Sequence, residues 1–146
     1  MSGLPPKNGW SKLVPELLVQ DIVVSLVFWQ NILGFVIAYD RPEQLFAYLE
    51  RPEGSQVMLC QRSGKWETAE MAQPFGRGVM FQIQVDDLDP IIAAIAQAKW
   101  PVHSPLRDVW RQTGDRESGQ REIFLTDPDG YLIMMNSSLG QRGLKT

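Results

Sequence analysis

The chain of 146 residues has one cysteine, Cys60, and one histidine, His103. A single thiol excludes an internal disulfide and any multi-cysteine zinc site, and a single imidazole excludes a two-histidine metal motif. No apolar run approaches the roughly 20 residues that a helix needs to span a bilayer. No cluster of lysine and arginine stands out, and a formal net charge of −3 argues against nucleic acid as a partner. Met1 to Lys12 is polar, carries Pro5, Pro6 and Gly9, and lacks the apolar stretch of a secretory signal. The chain therefore reads as soluble and cytoplasmic, with no membrane partner. It has no glycine-rich phosphate loop and no nucleophile elbow.

What is present suffices for a core. Hydrophobic residues make up 44% and charged residues 21%, a globular composition. Residues 13–19 form an apolar run that reads as a strand. Asp21 then stands as a helix cap, Ile22, Leu26 and Trp29 follow at helical spacing, and Gly34 sits where a terminating glycine belongs. Residues 35–40, 44–50 and 55–61 read as three further strands, with the turn Arg51-Pro52-Glu53-Gly54 before the last. Residues 63–77 are polar, with Gly64, Pro74 and Gly76, and read as a linker. The same order then recurs. Residues 79–85 read as a strand, and Asp87 caps a helix with Pro90 in its first turn. Val102 begins a strand that Pro105 bends, and residues 109–112 continue it or form a short ladder. Residues 122–126 and 131–136 form a hairpin around Asp127-Pro128-Asp129-Gly130.

The halves match in sequence as well as in order. An offset of 66 residues lays Val19 on Val85, Asp21 on Asp87, Ile22 on Leu88, Leu26 on Ile92 and Val36 on Val102. These are the strand end, the cap and the helix core, and such a repeat weighs heavily in a fold assignment. The expected architecture is α+β, with two βαβββ modules in tandem, residues 12–62 and 78–137, whose curved mixed sheets enclose a pocket.

Two segments resemble a known family. "VPELLVQDIVVSLVFWQNILGF", from Val14 to Phe35, is similar to the opening of the glyoxalase/bleomycin resistance/dioxygenase group, the vicinal oxygen chelate superfamily. "GQREIFLTDPDGYLIMMN", from Gly119 to Asn136, is similar to its closing hairpin. The resemblance implies paired βαβββ modules, each supplying half of a cavity, usually in a homodimer. It implies fold more than function, because the fold hosts isomerases, dioxygenases, thiol transferases and binding proteins.

Metal-using members of that family place His, Gln or Glu on the first and last strand of each module. Carried across on the Val-x-Asp and Asp-Pro-Asp-Gly landmarks, those positions are Val14, Met58, Met80 and Met134. An isopropyl group and three thioethers do not hold a divalent ion that wants imidazole or carboxylate. The resemblance thus implies no metal and no cofactor, and points to the bleomycin-resistance-like branch, which sequesters its ligand. One step along the strands lies a polar set, Glu16, Gln82, Cys60 and Asn136. It reads either as hydrogen-bonding contacts to an organic ligand or as a displaced metal site. Glu16 is suited to a cationic amine. Tyr39, Phe46, Tyr48 and Trp110 are the aromatic candidates for a flat ligand; Tyr39 and Phe46 align with groove positions of bleomycin-binding relatives. Glu122, in the Arg-Glu-Ile-Phe segment, completes the ligand-binding set with Glu16 and Gln82. Relatives carry a tryptophan where this chain has Gly119. The function expected is metal-free binding of an aromatic, cationic, antibiotic-like molecule by a homodimer. The alternative is an enzyme of the same fold with a displaced or absent metal site.

Overall fold

The computed structural model describes residues 2–145. Asp21 caps α1 (Ile22–Asn31) as expected: its carboxylate accepts the backbone N–H groups of Val23 and Val24. α2 (Asp89–Ala98) differs: its cap position is Leu88, which has no side-chain bond to give, and Asp87 one residue earlier accepts only from the N–H of Asp89. The chain leaves α1 through Gly34 at φ +74°. A side chain there would collide with Arg51, whose Nη1 donates to the carbonyl of Leu33 at 2.6 Å.

The strands are β1 (Ser2–Gly3), β2 (Glu16–Val19), β3 (Val36–Arg41), β4 (Phe46–Glu50), β5 (Gln56–Gln61), β6 (Met80–Gln84), β7 (Val102–Thr113), β8 (Arg116–Thr126) and β9 (Leu132–Gly143). They form two sheets, in the orders β1-β3-β4-β5-β2 and β6-β9-β8-β7. Without β1, both are four-stranded, and each pairs its first strand parallel to its last while the other pairings are antiparallel. The fold is therefore α+β with a tandem duplicated module, as the repeat predicted. Register carries the duplication to single residues: Glu16 pairs with Met58, and Gln82 pairs with Met134.

Alternate residues of each strand face the helices. Leu17, Val19, Ala47, Leu49, Val57 and Leu59 from the first sheet join Ile83, Val85, Ile123, Leu125, Ile133 and Met135 from the second in one continuous core. The two turns that close the modules are also their joints. Gln20 N–H donates to Asp129 of the second turn, and Asp86 N–H, 66 residues on, donates to Glu53 of the first. The second joint is the stronger. Ser25 Oγ donates to Asp129, Trp29 Nε1 to Asp127, and the Tyr131 hydroxyl to the carbonyl of Leu18. Gly130, at φ +97°, is required there because a Cβ would lie 2.5 Å from Pro74.

Two features depart from the expected boundaries. β7 is one continuous strand to Thr113, and β8 and β9 run well past residues 122–126 and 131–136, β8 starting at Arg116 just after the Gly114-Asp115 tip and β9 ending at Gly143. That extension has few apolar residues and no alternation, because it packs on no helix; cross-strand pairs such as Arg121–Asp108 and Arg142–Glu117 hold it instead. The polar N-terminal segment is also part of the first module. β1 pairs with β3, and residues 4–13 cross the sheet face that turns away from the helices.

Candidate functional site

The faces turned away from the helices carry the candidate residues, arranged in rungs across the strands. On the first sheet one rung runs Glu16, Met58, Tyr48, Tyr39, and the next runs Leu18, Cys60, Phe46, Arg41. On the second sheet the matching rungs are Gln82, Met134, Phe124, Ser104 and Gln84, Asn136, Glu122, Arg107. The duplication thus sets Met58 against Met134 and Glu16 against Gln82.

The first face is largely covered. Tyr39 and Tyr48 stack with ring centres 5.0 Å apart, and Trp10 meets both edge-on, at 5.7 and 5.2 Å. Arg41 lies 3.8 Å above the Phe46 ring. The N-terminal segment binds the buried polar residues beneath it. Lys7 N–H donates to Glu50, Ser11 N–H to Gln56 Oε1, and Gln56 Nε2 to the carbonyl of Gly9. The Tyr48 hydroxyl also donates to Gln56. Burial, with Tyr39 and Glu50 adding to it, pushes the Tyr48 phenol above its ordinary range. Glu16 lies beside this covered region, in a cavity of about 720 Å³ that it lines with Leu18, Arg41, Phe46 and Cys60. It is exposed and has no ion-pair partner among the described residues. Burial, and then Glu16, raise the Cys60 thiol above its usual value, so it is not an activated nucleophile. His103 is exposed on β7 of the other sheet, bonded to Ser104, and the fold does not bring it to Cys60.

The second face is open. A cavity of about 360 Å³ has Met80, Phe124 and Met134 as its apolar floor, and Gln82, Arg111, Thr113, Ser118 and Gln120 as its polar wall. Next to it Glu122 is fully buried and its two oxygens are occupied. Oε1 accepts from Arg107 Nε at 3.1 Å and Arg111 Nη2 at 2.8 Å, and Oε2 accepts from Arg111 Nη1 at 3.0 Å. Arg111 foremost, and Arg107, hold the Glu122 carboxyl below its ordinary value against the cost of burial. Across the ladder from Glu122, Asn136 is buried and its Oδ1 meets no donor among the described residues.

The structure therefore brings Tyr39, Phe46, Tyr48 and Glu16 together on one sheet and Gln82 and Glu122 together on the other. Trp110 joins neither group. It pairs with Gly119, on the opposite side of the strand from Val109 and Arg111. Its indole lies where a Cβ at position 119 would stand, 2.7 Å away, with Arg142 stacked at 4.0 Å. Trp110 thus fills the space above Gly119 from the neighbouring strand, a contact that linear spacing conceals. Arg107 and Arg111 were not singled out from the sequence. The signal for them was Gly114-Asp115: read as a two-residue hairpin loop, it sets the register that puts Arg107 opposite Glu122.

The donor set does not fit the metal that many relatives of this fold use. The rungs Glu16–Met58 and Gln82–Met134 pair one oxygen donor with one thioether each. Cys60 and Asn136 stand one rung further on, opposite Leu18 and Gln84. A hard divalent ion takes neither arrangement, and among the described residues no group of three His, Cys, Asp or Glu side chains converges.

The model of the glyoxalase/bleomycin resistance protein/dioxygenase superfamily matches residues 13–135. Solved structures share the fold. A protein of unknown function from Agrobacterium tumefaciens is 25% identical, with a TM-score of 0.66 over 90% of this chain and 96% of its own. TioX from Micromonospora is 20% identical, with a TM-score of 0.65 over 89% and 100%. A glyoxalase/bleomycin resistance protein/dioxygenase from Alicyclobacillus acidocaldarius is 19% identical, with a TM-score of 0.59 over 87% and 90%. No match was found among curated proteins. With the family model covering the two modules, the chain belongs to the glyoxalase/bleomycin resistance protein/dioxygenase superfamily.

Proposed function

We propose that this chain is a metal-independent binding protein for a flat, amphipathic organic molecule, of the sequestering kind found in the bleomycin-resistance branch. The observation that carries the reading is the pair of matched rungs. Where a metal-dependent relative needs converging imidazoles and carboxylates, this chain puts Met58 and Met134, with one oxygen donor beside each. Thioethers are adaptable apolar packing surface. In the second sheet Met134 packs beneath Phe124 and Met80, which make a floor for an aromatic body, and the amides and hydroxyls around it supply the few polar contacts that orient a ligand.

The charge of the ligand depends on which half it occupies. Glu16 would hold the cation expected from the sequence, but the aromatic rings near it are already covered by Trp10 and Arg41. The second sheet leaves Met80 exposed and Phe124 half-buried at its cavity, above a buried Met134. The reading includes a homodimer in which a second copy closes over that sheet.

A thermal-shift screen tests the proposal, because a ligand that binds only the folded state raises apparent stability. Bleomycin-group drugs and smaller aromatic acids, amines and alcohols form the panel. At least one class is expected to raise the melting temperature, and neither Zn²⁺, Ni²⁺, Mn²⁺ nor a chelator should change the result. A shift that appears only with added metal would refute the metal-independent reading.

A further inference from the structure

We infer that the ligand of the second sheet is an organic acid, its flat apolar body on Phe124 and Met80 and its carboxylate at Arg111. The inference rests on the binding-protein reading and names its ligand class. No carboxylate lines this cavity. Its polar wall consists of Arg111, which only donates, and of Gln82, Gln120, Ser118 and Thr113, all of which can donate. The nearest acid, Glu122, is fully buried with both oxygens bonded to guanidinium groups, so it cannot turn toward a cation.

The charge balance follows from the same geometry. Two guanidinium groups converge on one carboxylate, which leaves one positive charge over. Glu122 stays ionised at neutral pH because Arg111 and Arg107 hold its carboxyl low, so the surplus is a single charge. That charge sits on accessible groups: the Arg107 and Arg111 side chains are 54% and 47% exposed. Arg111 spends two of its N–H groups on Glu122 and keeps others for a second acceptor. Glu122 thereby fixes the guanidinium plane at the cavity wall, and a pre-organised fork is what a ligand carboxylate binds best. A cationic ligand in this half would meet the surplus charge and no acceptor of opposite sign.

The test uses the full chain and three probes of one shape, 2-naphthoate, 2-naphthalenemethanol and 2-naphthylmethylammonium, titrated by calorimetry. The expected order is acid, then alcohol, then ammonium, with the acid about ten-fold tighter than the alcohol, as one charge-assisted contact gives. Arg111→Gln should weaken the acid about ten-fold and abolish its advantage over the alcohol in the same variant. Because that variant also removes a partner of buried Glu122, Glu122→Gln provides a control in the opposite direction. It removes the neutralising charge while its amide oxygen still accepts from the guanidinium groups, and should tighten the acid. Equal affinities for the three probes, a preference for the ammonium, or an acid affinity unmoved by both variants would overturn the acid assignment and leave the binding-protein reading standing. Failure of all three probes to bind would overturn both.

Discussion

At the scale of single residues, the most consequential groups lie in the Asp127–Gly130 turn. Burial is the dominant influence on Asp127 and lifts its carboxyl from the ordinary 3.8 to about 6, against hydrogen bonds from Tyr131, Trp29 and Asp129. The Tyr131 phenol, buried beside both acids, is pushed to about 12. For an acid with a raised value, the folded state holds more protons than the unfolded state between those two pH values. Stability then falls as pH rises through that window, and the group costs about 2 kcal/mol at neutral pH relative to pH 4. Asp127→Asn removes this slope but sets an amide N–H₂ or a poorer acceptor against Trp29 Nε1. The difference in unfolding free energy between the native chain and D127N should therefore shift in favour of the variant by up to that amount from pH 4 to pH 7. Denaturation midpoints that move in parallel would refute the burial account. Asn136 permits a second check. Its Oδ1 is buried without a partner among the described residues, which costs about 1–3 kcal/mol. Asn136→Leu should be neutral or stabilising by about 1 kcal/mol in urea, and a clear loss would show that the amide has a partner in solution.

At the scale of elements, the N-terminal segment and the long β7-β8-β9 extension distinguish the two otherwise matched modules. The segment satisfies Glu50 and Gln56, which are buried on the first sheet, and brings Trp10 onto the tyrosine pair. Trp10 itself is 54% exposed, so its contribution is the edge-on ring contacts and part of its area. Trp10→Ala should cost about 1–2 kcal/mol in unfolding free energy. No loss would mean that hydrogen bonds alone hold the segment. Little of this was visible in the chain read linearly, because a stretch with Pro5, Pro6 and Gly9 has neither strand nor helix periodicity and its bonds go to side chains about 40 residues away. The hairpin around Asp127-Pro128-Asp129-Gly130 was legible, since its turn chemistry is local.

At the scale of the whole molecule, the unevenness of the surface is the main feature. α1 is apolar on all sides and leaves Val23, Val24 and Val27 exposed, and Met80, Val102 and Leu106 are exposed on the second module. Such area is costly to leave in water, and the proposed homodimer removes some of it. Sedimentation velocity at micromolar concentration should show a dimer, and a monomer there would end that part of the proposal. No helix among the described residues is long and apolar enough to cross a membrane.

The sequence by itself determined the duplicated α+β architecture, the cap at Asp21 and the closing turn at Asp127-Pro128-Asp129-Gly130. These depend on short-range signals: hydrophobic period, turn chemistry and residue type at fixed offsets from a landmark. Strand alternation also put Glu16 and Gln82 on matching faces of their strands, while Tyr39, Phe46 and Tyr48 were legible only as rings suited to a flat ligand. Only the tertiary structure decided which face is open. Trp10 covers the tyrosines, Trp110 turns to the other side of β7 to fill the place above Gly119, and Glu122 is committed to Arg107 and Arg111. Each depends on pairing between residues distant in the chain, where one step of register or one crossing segment changes the partner, and no local pattern carries that information.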